Sequence, residues 1–468
     1  MFGKITRQKS VIGNWLKNWW ANGKKNNAPI IYSKKKHGIG KDSISPAAYR
    51  ICEILHQNGF EAFVVGGAVR DLLLHRQPKD FDVATNATPD ELRKIFERSR
   101  IIGRRFKIVH VLLHHETIEV TTFRAKSKAR TTDEGRLIND NQFGTQQEDA
   151  TRRDFTVNAL YFDPLQETIT DYFNGVSDLK NKKLVVIGHA QERFREDPVR
   201  MLRAVRLSAK LQMDIEEKSA RLIVQMADLL KNEPPARLFD ETVKIFTCGQ
   251  SLKCLRALRQ FQLDKGLLPL LDAVIAYPNG RKFIRLALGN SDRRIAQGKG
   301  ISAGFLFATL LWQEVRFLWE NDQQEENKIQ ALNRAIEEVL EKRAVMLAVP
   351  RRILGDVRDI WALQPRFEKR QKNRAYKLLA QSRFRAAFDF LSLRQQVGEV
   401  SEELVCWWED FQFSDDSTRA QMLADLAPVQ KGNKKRRRKK KKPSLPSDSA
   451  NENQSISLDG SFFKKNER

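Results

Sequence analysis

Cysteine is nearly missing from this chain: four residues in 468, Cys52, Cys248, Cys254 and Cys406, with no CxxC pair and no zinc-ligand spacing. That excludes a disulfide scaffold and a thiolate zinc centre and predicts reduced thiols. No apolar run reaches the roughly 20 residues of a membrane-spanning helix, and the amino terminus lacks the apolar core of a secretory signal, so a cytoplasmic location is expected. Histidine is also scarce, seven in all and none after His189, which leaves the second half without the residues for a histidine-ligated metal. Acidic residues fall short as well: 58 Asp and Glu face 83 Lys and Arg, a formal net charge of +25. The first expectation is therefore a polyanionic partner, nucleic acid or an anionic membrane.

What is present suffices for several packed domains, with 41% hydrophobic residues. Residues 1–45 read as a flexible basic arm, with ten Lys or Arg against the single Asp42. Within the arm, Ile12, Trp15, Leu16, Trp19 and Trp20 share one helical face flanked by lysines, a pattern suited to an anionic membrane surface, to packing on the protein itself or to neither. From 46 to 190 short β-rich runs such as EAFVVGG, DFDVAT and ETIEVTTFR alternate with helical segments. A polar stretch between Arg124 and Glu148 is too long for an ordinary connection and reads as a functional loop. After about 190 the periodicity is helical: a neck over 191–255 and a body over 256–430. Residues 431–468 form a tail with nine consecutive Lys or Arg at 434–442, a run that repels itself, stays disordered and binds polyanions without sequence preference. The fold class is α+β.

The chemistry concentrates in GGAVRDLLLHRQPKDFDVAT, residues 66–85. Alternation along a strand places Asp80 and Asp82 on one face. Two adjacent carboxylates are electrostatically costly unless a cation lies between them, and hard ions such as Mg²⁺ take such ligands; an isolated DxD can equally be a solvated strand edge. The pair Gly66-Gly67 ends one strand and opens a helix carrying Arg70, an arrangement that fits phosphate or simply lets strand and helix pack closely. Glu119, between Ile118 and Val120, either adds a third carboxylate or faces solvent from an alternating strand.

Three segments in order, GGAVRDLLLHRQPKDFDVATNATPDELRKIF, RRDFTVNALYFD at 152–163 and REDPVRMLRAVRLSAKL at 195–211, resemble the successive motifs of the class II nucleotidyltransferases of the polymerase β superfamily, which include bacterial poly(A) polymerases and CCA-adding tRNA nucleotidyltransferases. The resemblance covers about residues 45–250. It implies that Asp80 and Asp82 hold two Mg²⁺ ions, that ATP is the substrate, and that Gly66, Gly67 and Arg70 contact its phosphates. It makes Arg152, Arg153 and Asp154 active-site lining, the arginines toward phosphate, and leaves Asp154 and Glu119 as alternatives for the third essential carboxylate. Asp197 and Arg200, three apart and so on one helix face, with Arg203 next along it, are implied to read the incoming base. Taken alone, that spacing is also that of a solvated ion pair.

IIGRRFKIVHVLL at 101–113, PPARLFDETVKIF at 234–246 and the basic tail resemble the poly(A) polymerase branch. The implied activity is template-independent addition of adenylate from ATP to RNA 3′ ends, in mRNA polyadenylation and RNA decay. CCA addition to tRNA is the alternative, and a non-catalytic RNA-binding protein is a third reading opposed by the retained aspartates and glycines. Expected partners are RNA 3′ ends, RNA-decay proteins and, through the arm, a weakly held membrane surface; the expected state is a monomer. His110, His114 and His115 read as structural or surface residues, and the arginine-rich helices beyond 250 as core with an RNA path that no single residue marks.

Overall fold

The computed structural model describes residues 28–103, 107–125, 130–131, 137–138, 142–264, 268, 280–321, 327–371 and 373–426. The tryptophan-bearing pattern at 12–20, half of the polar loop and the basic tail lie outside the described residues.

The head is one eight-stranded sheet flanked by short helices. Its strands are β1 (Ile30–Ser33), β2 (Ala62–Val65), β3 (Asp82–Thr85), β4 (Ser99–Ile102), β5 (Ile108–Leu113), β6 (Glu116–Thr122), β7 (Leu160–Asp163) and β8 (Thr168–Asp171), in the order β1-β8-β7-β2-β3-β6-β5-β4. Neighbours run antiparallel except β3 and β6, which are parallel. The edge strand β1 corrects the expected limits of the arm: residues 30–33 pair with β8, so the ordered head begins before residue 45.

Strand alternation gives the sheet two faces with different work. Ala62, Val64, Val83, Val109, Val111, Ile118, Val120 and Phe162 join the main core, where helices α1 (Pro46–Gln57) and α2 (Gly67–Leu73) cover the strands. The opposite face carries a small cluster of Val65, Ala84, Phe123, Ala159 and Tyr161, and the candidate site lies on this side. Helix ends are fixed by local chemistry. Ser45 caps α1 with Pro46 at its first position, and capping boxes start α3 (Pro89–Ile95) at Thr88 and Glu91 and α4 (Gln146–Arg152) at Thr145 and Glu148.

The neck follows as α5 (Ala190–Glu196), α6 (Val199–Leu211), α7 (Glu217–Met226), α8 (Pro235–Phe246) and α9 (Ser251–Gln260), with α6 packed on both α8 and α9. Its core runs without a break into the sheet's main core and into the body. In the body α10 (Arg281–Ala296), α11 (Ala303–Asn321), α12 (Lys328–Leu347), α13 (Arg351–Phe367) and α15 (Phe384–Gln396) surround buried Trp312 and Trp361, and a second cluster around Trp408 carries α14 (Asn373–Leu379), α16 (Glu402–Phe413) and α17 (Asp416–Asp425).

One carboxylate organises the body. Glu399, in the turn after α15, accepts from Trp312 Nε1 at 2.9 Å, Arg316 Nη1 at 2.9 Å and Arg394 Nε at 3.0 Å, with its side chain 4% exposed. Removing one partner of such a buried set leaves the remaining charges unpaired. Glu399→Ala is expected to cost about 3–5 kcal/mol of unfolding free energy by urea titration; a loss under about 1 kcal/mol would show that water replaces the carboxylate at little cost.

Candidate active site

Register assembles the site. Val65 at the end of β2 lies opposite Asp82 at the start of β3, and Asp82 lies beside Glu119 of β6. The Gly66 turn and the carboxylates are thereby brought to one end of adjacent strands. Gly66 adopts φ +70°, ψ −125°, a conformation that disfavours any side chain, and a Cβ there would stand 3.1 Å from an Arg153 nitrogen.

Asp80 lies two residues before Asp82 and is exposed, ahead of the strand proper. Asp82 is half-buried. Burial first, then the charges of Glu119 and Asp80, against the opposing charge of Arg153, push its carboxyl from an ordinary value of 3.8 to about 6. Of the two candidates for the third carboxylate, Glu119 is the one that stands beside Asp82 in the sheet register, while Asp154 turns to the neck. His110, opposite Glu119 on β5, approaches it to 3.4 Å, so this histidine belongs to the site's face.

The arginines near the turn are already engaged. Arg70 is buried and donates to Asn158 Oδ1 at 2.6 Å and to Asp71 Oδ1 at 2.8 Å. Arg153 donates to Asp149 Oδ2 at 3.1 Å, to the Tyr161 hydroxyl at 2.9 Å and to the Asn158 carbonyl at 3.3 Å, with its guanidinium over the Tyr161 ring. Arg152 pairs with Asp149. Both guanidinium groups stand beside the Gly66-Gly67 turn, and every nitrogen of each already has a protein partner.

Asp154 faces the neck. Its Oδ2 accepts from Arg203 Nε at 2.8 Å and Nη2 at 2.6 Å, and its Oδ1 from Asn158 Nδ2 at 3.0 Å and the Phe155 N–H at 2.8 Å. Burial alone would raise the Asp154 carboxyl; Arg203 and these donors hold it below the usual range. Asn158 thus joins Arg70 under the glycine turn to Asp154 and onward to α6. The buried Arg193 of α5 donates to the carbonyls of Arg152 and Arg153, both at 2.7 Å, and locks this loop to the neck.

The reading of Asp197 and Arg200 as one helical face is corrected. Asp197 ends α5 with φ −153°, ψ 90°, and α6 begins only at Val199, because Pro198 has no N–H with which to continue the helix. Their side chains diverge. Asp197 accepts from Arg237 of α8 at 2.9 Å, whereas Arg200 donates to the Arg193 carbonyl at 2.8 Å and to Glu196 at 3.2 Å. Arg203 adds Glu241 of α8 at 3.5 Å. Sequence reasoning missed Asp149, Tyr161, Asn158 and Arg193. Asn158 and Tyr161 lie inside RRDFTVNALYFD, yet their partners Arg70 and Asp149 lie 88 and 12 residues earlier in the chain.

Among the described residues no three His, Cys, Asp or Glu side chains converge as a preformed metal cage. The donor set nonetheless suits Mg²⁺, which binds through one or two carboxylates plus substrate phosphates and keeps several waters. The crowded Asp82 makes this testable. A carboxyl raised in the folded state favours folding below its unfolded value, and that contribution is lost as pH rises toward 6. In metal-free buffer at pH 7.5, Asp82→Asn is expected to raise unfolding stability by on the order of 1–3 kcal/mol, with the gain vanishing near pH 4. Equal or lower stability at pH 7.5 would show that the carboxylates are not in conflict.

Three family models match successive segments of the chain. The Poly A polymerase head domain matches residues 62–185, the probable RNA and SrmB-binding site of polymerase A matches 212–275, and the polymerase A arginine-rich C-terminus matches 324–442. The chain is 42% identical over 424 residues to Poly(A) polymerase I of Haemophilus influenzae, covering 86% of this chain and 94% of that one. It is 41% identical over 412 residues to Poly(A) polymerase I of Salmonella typhi, covering 85% and 88%. The likeness to the CCA-adding enzyme of Lactobacillus helveticus, 42% identical over 198 residues, spans 42% of this chain and 49% of that one. Matched by these models and more than 40% identical to Poly(A) polymerase I over some 85% of its length, the chain belongs to the poly(A) polymerase family.

Proposed function

We propose that this protein is a template-independent RNA nucleotidyltransferase that adds adenylate residues from ATP to RNA 3′ ends. The observation that carries this is identity to Poly(A) polymerase I over 94% of the relative's length, body included, whereas likeness to a CCA-adding enzyme spans 42% of this chain.

Asp80 and Asp82, with Glu119 beside them, are the residues that would hold Mg²⁺. When bound, such ions neutralise triphosphate charge and activate the attacking hydroxyl. The protein's own contribution is positioning, which dominates phosphoryl transfer. Gly66 and Gly67 let the backbone approach the triphosphate, and Arg70 and Arg153 keep that turn in place through Asn158, Asp149 and Tyr161. Asp197, Arg200 and Arg203 line the neck side, where they meet the base, each oriented by a partner on α5, α8 or the head loop. The surplus of positive charge, greatest in the tail, holds RNA without sequence preference.

Extension of a generic 5′-labelled RNA and of a tRNA lacking its 3′ terminus, each with ATP alone or CTP alone in Mg²⁺, is expected to give a long ladder on the generic RNA with ATP only. Short, tRNA-limited addition requiring CTP would overturn the adenylate reading in favour of CCA addition. Asp82→Asn is expected to lower the rate by at least roughly 10³-fold, in line with removing a group aimed at transition-state charge, while RNA affinity stays within about twofold. Near-full activity in that variant would remove the carboxylate pair from the mechanism.

A further inference from the structure

The scarce cysteines are not all distant from one another. Cys248 follows the last turn of α8, and Cys254 lies in the first turn of α9. Between them Gly249, at φ +79°, reverses the chain so that the two sulfur atoms stand 3.5 Å apart. Cys254 is buried, and its Sγ reaches the Arg206 carbonyl of α6 at 3.9 Å; Cys248 is partly exposed. The other thiols differ on both counts. Cys52 is enclosed in the head core, where burial pushes its thiol up, and Cys406 is exposed on α16.

We propose that Cys248 and Cys254 form an oxidation site, in which a hydroperoxide oxidises Cys248 and Cys254 closes it to an intramolecular disulfide. The Cys248 thiolate attacks the peroxide, forming an S–O bond as the O–O bond breaks and hydroxide leaves; the Cys254 thiol then attacks the Cys248 sulfur, forming the S–S bond and expelling water. In sum two thiols and one hydrogen peroxide give one disulfide and two waters. The sulfurs need to close from 3.5 Å to about 2.05 Å, with the Cys248 thiol leaving the Ile245 carbonyl that it donates to at 3.2 Å. The roles follow from the surroundings. The hydrogen bond from Cys254, stronger in effect than burial, holds the Cys248 thiol below its usual range, aided by the Gln250 N–H and the Arg206 charge. Cys254 is pushed the other way and waits as the resolving thiol. In a reducing cytosol such a bond is transient and suited to sensing.

The site backs onto the nucleotide-facing helix. Arg206, whose carbonyl Cys254 touches, pairs with Glu241 at 3.3 Å, and Glu241 lies 3.5 Å from Arg203, which holds Asp154. Closing the disulfide pulls at the rear of that chain of contacts and weakens ATP binding, a consequence that rests on the adenylate-adding reading.

The test uses the full-length protein carrying Cys406→Ser, which removes the exposed competitor. Treatment with hydrogen peroxide is expected to lower the intact mass by about 2 Da, with a Cys248–Cys254 crosslinked peptide that dithiothreitol cleaves. Adding Cys254→Ser is expected to leave Cys248 as a sulfenic acid that dimedone traps. Recovery of both residues as free thiols under conditions that oxidise Cys406 in the unmodified protein would overturn the site. The second arm measures KM for ATP, expected to rise about fivefold or more on oxidation and to return on reduction; an unchanged KM with the disulfide formed would overturn the coupling alone. A protein that forms the disulfide yet adds no adenylate in either state would refute the proposed function and leave the oxidation site standing.

Discussion

The ion pair between Asp154 and Arg203 is the joint on which the site depends. One carboxylate oxygen takes two donors from the neck helix, and the other takes Asn158 and the loop's own Phe155 N–H. A carboxylate buried to this degree is costly unless fully paired. The head loop and the neck helix therefore have one mutual placement that leaves no charge stranded. Asn158 extends the constraint to Arg70 beneath the glycine turn, and Arg193 ties the same loop's carbonyls to α5. The glycine turn and the neck helix α6 are thus fixed to each other, the kind of preorganisation that phosphoryl transfer rewards.

A protein of formal charge +25 nevertheless leaves its carboxylates in conflict. The nearby arginines are committed elsewhere: Arg70 to Asp71 and Asn158, Arg153 to Asp149 and Tyr161, Arg203 to Asp154 and Glu241. Arg153 offsets the field at Asp82 but does not cancel it, and the carboxyl stays raised to about 6. Asp82, Asp80 and Glu119 are left as a patch of negative charge within a basic molecule. That combination suits a ligand that brings cations of its own along with polyphosphate, and the net positive charge of the whole chain suits RNA.

Much of this was legible in the sequence because strand alternation is a local rule. Period-two patterning put Asp80 and Asp82 on one face and left Glu119 open between a third carboxylate and a solvent-facing residue, and the structure adds the register that makes Asp82 and Glu119 neighbours. Helical periodicity gave the neck and body in outline. The i, i+3 argument for Asp197 and Arg200 failed because it assumed one helix across Pro198, where the chain breaks and restarts. Asn158, Asp149 and Arg193 were illegible for a different reason: each earns its place through partners brought near by the fold, and nothing in the residue type announces them. The strand at Ile30–Ser33 was hidden by its basic surroundings, since a short edge strand shows too little alternation to read. The Cys248 and Cys254 contact depends on a left-handed glycine between two helices, which spacing alone does not reveal.

The central claim is that head and neck form one nucleotide site through Asp154 and Arg203. A double-mutant cycle on kcat/KM for ATP, with Asp154→Asn, Arg203→Gln and the double variant, tests it most directly. The account predicts strong non-additivity, a coupling of roughly 2 kcal/mol or more, with the double variant little worse than either single one. Losses that simply add would contradict it, and would mean that the sheet and the neck helix act on the nucleotide independently.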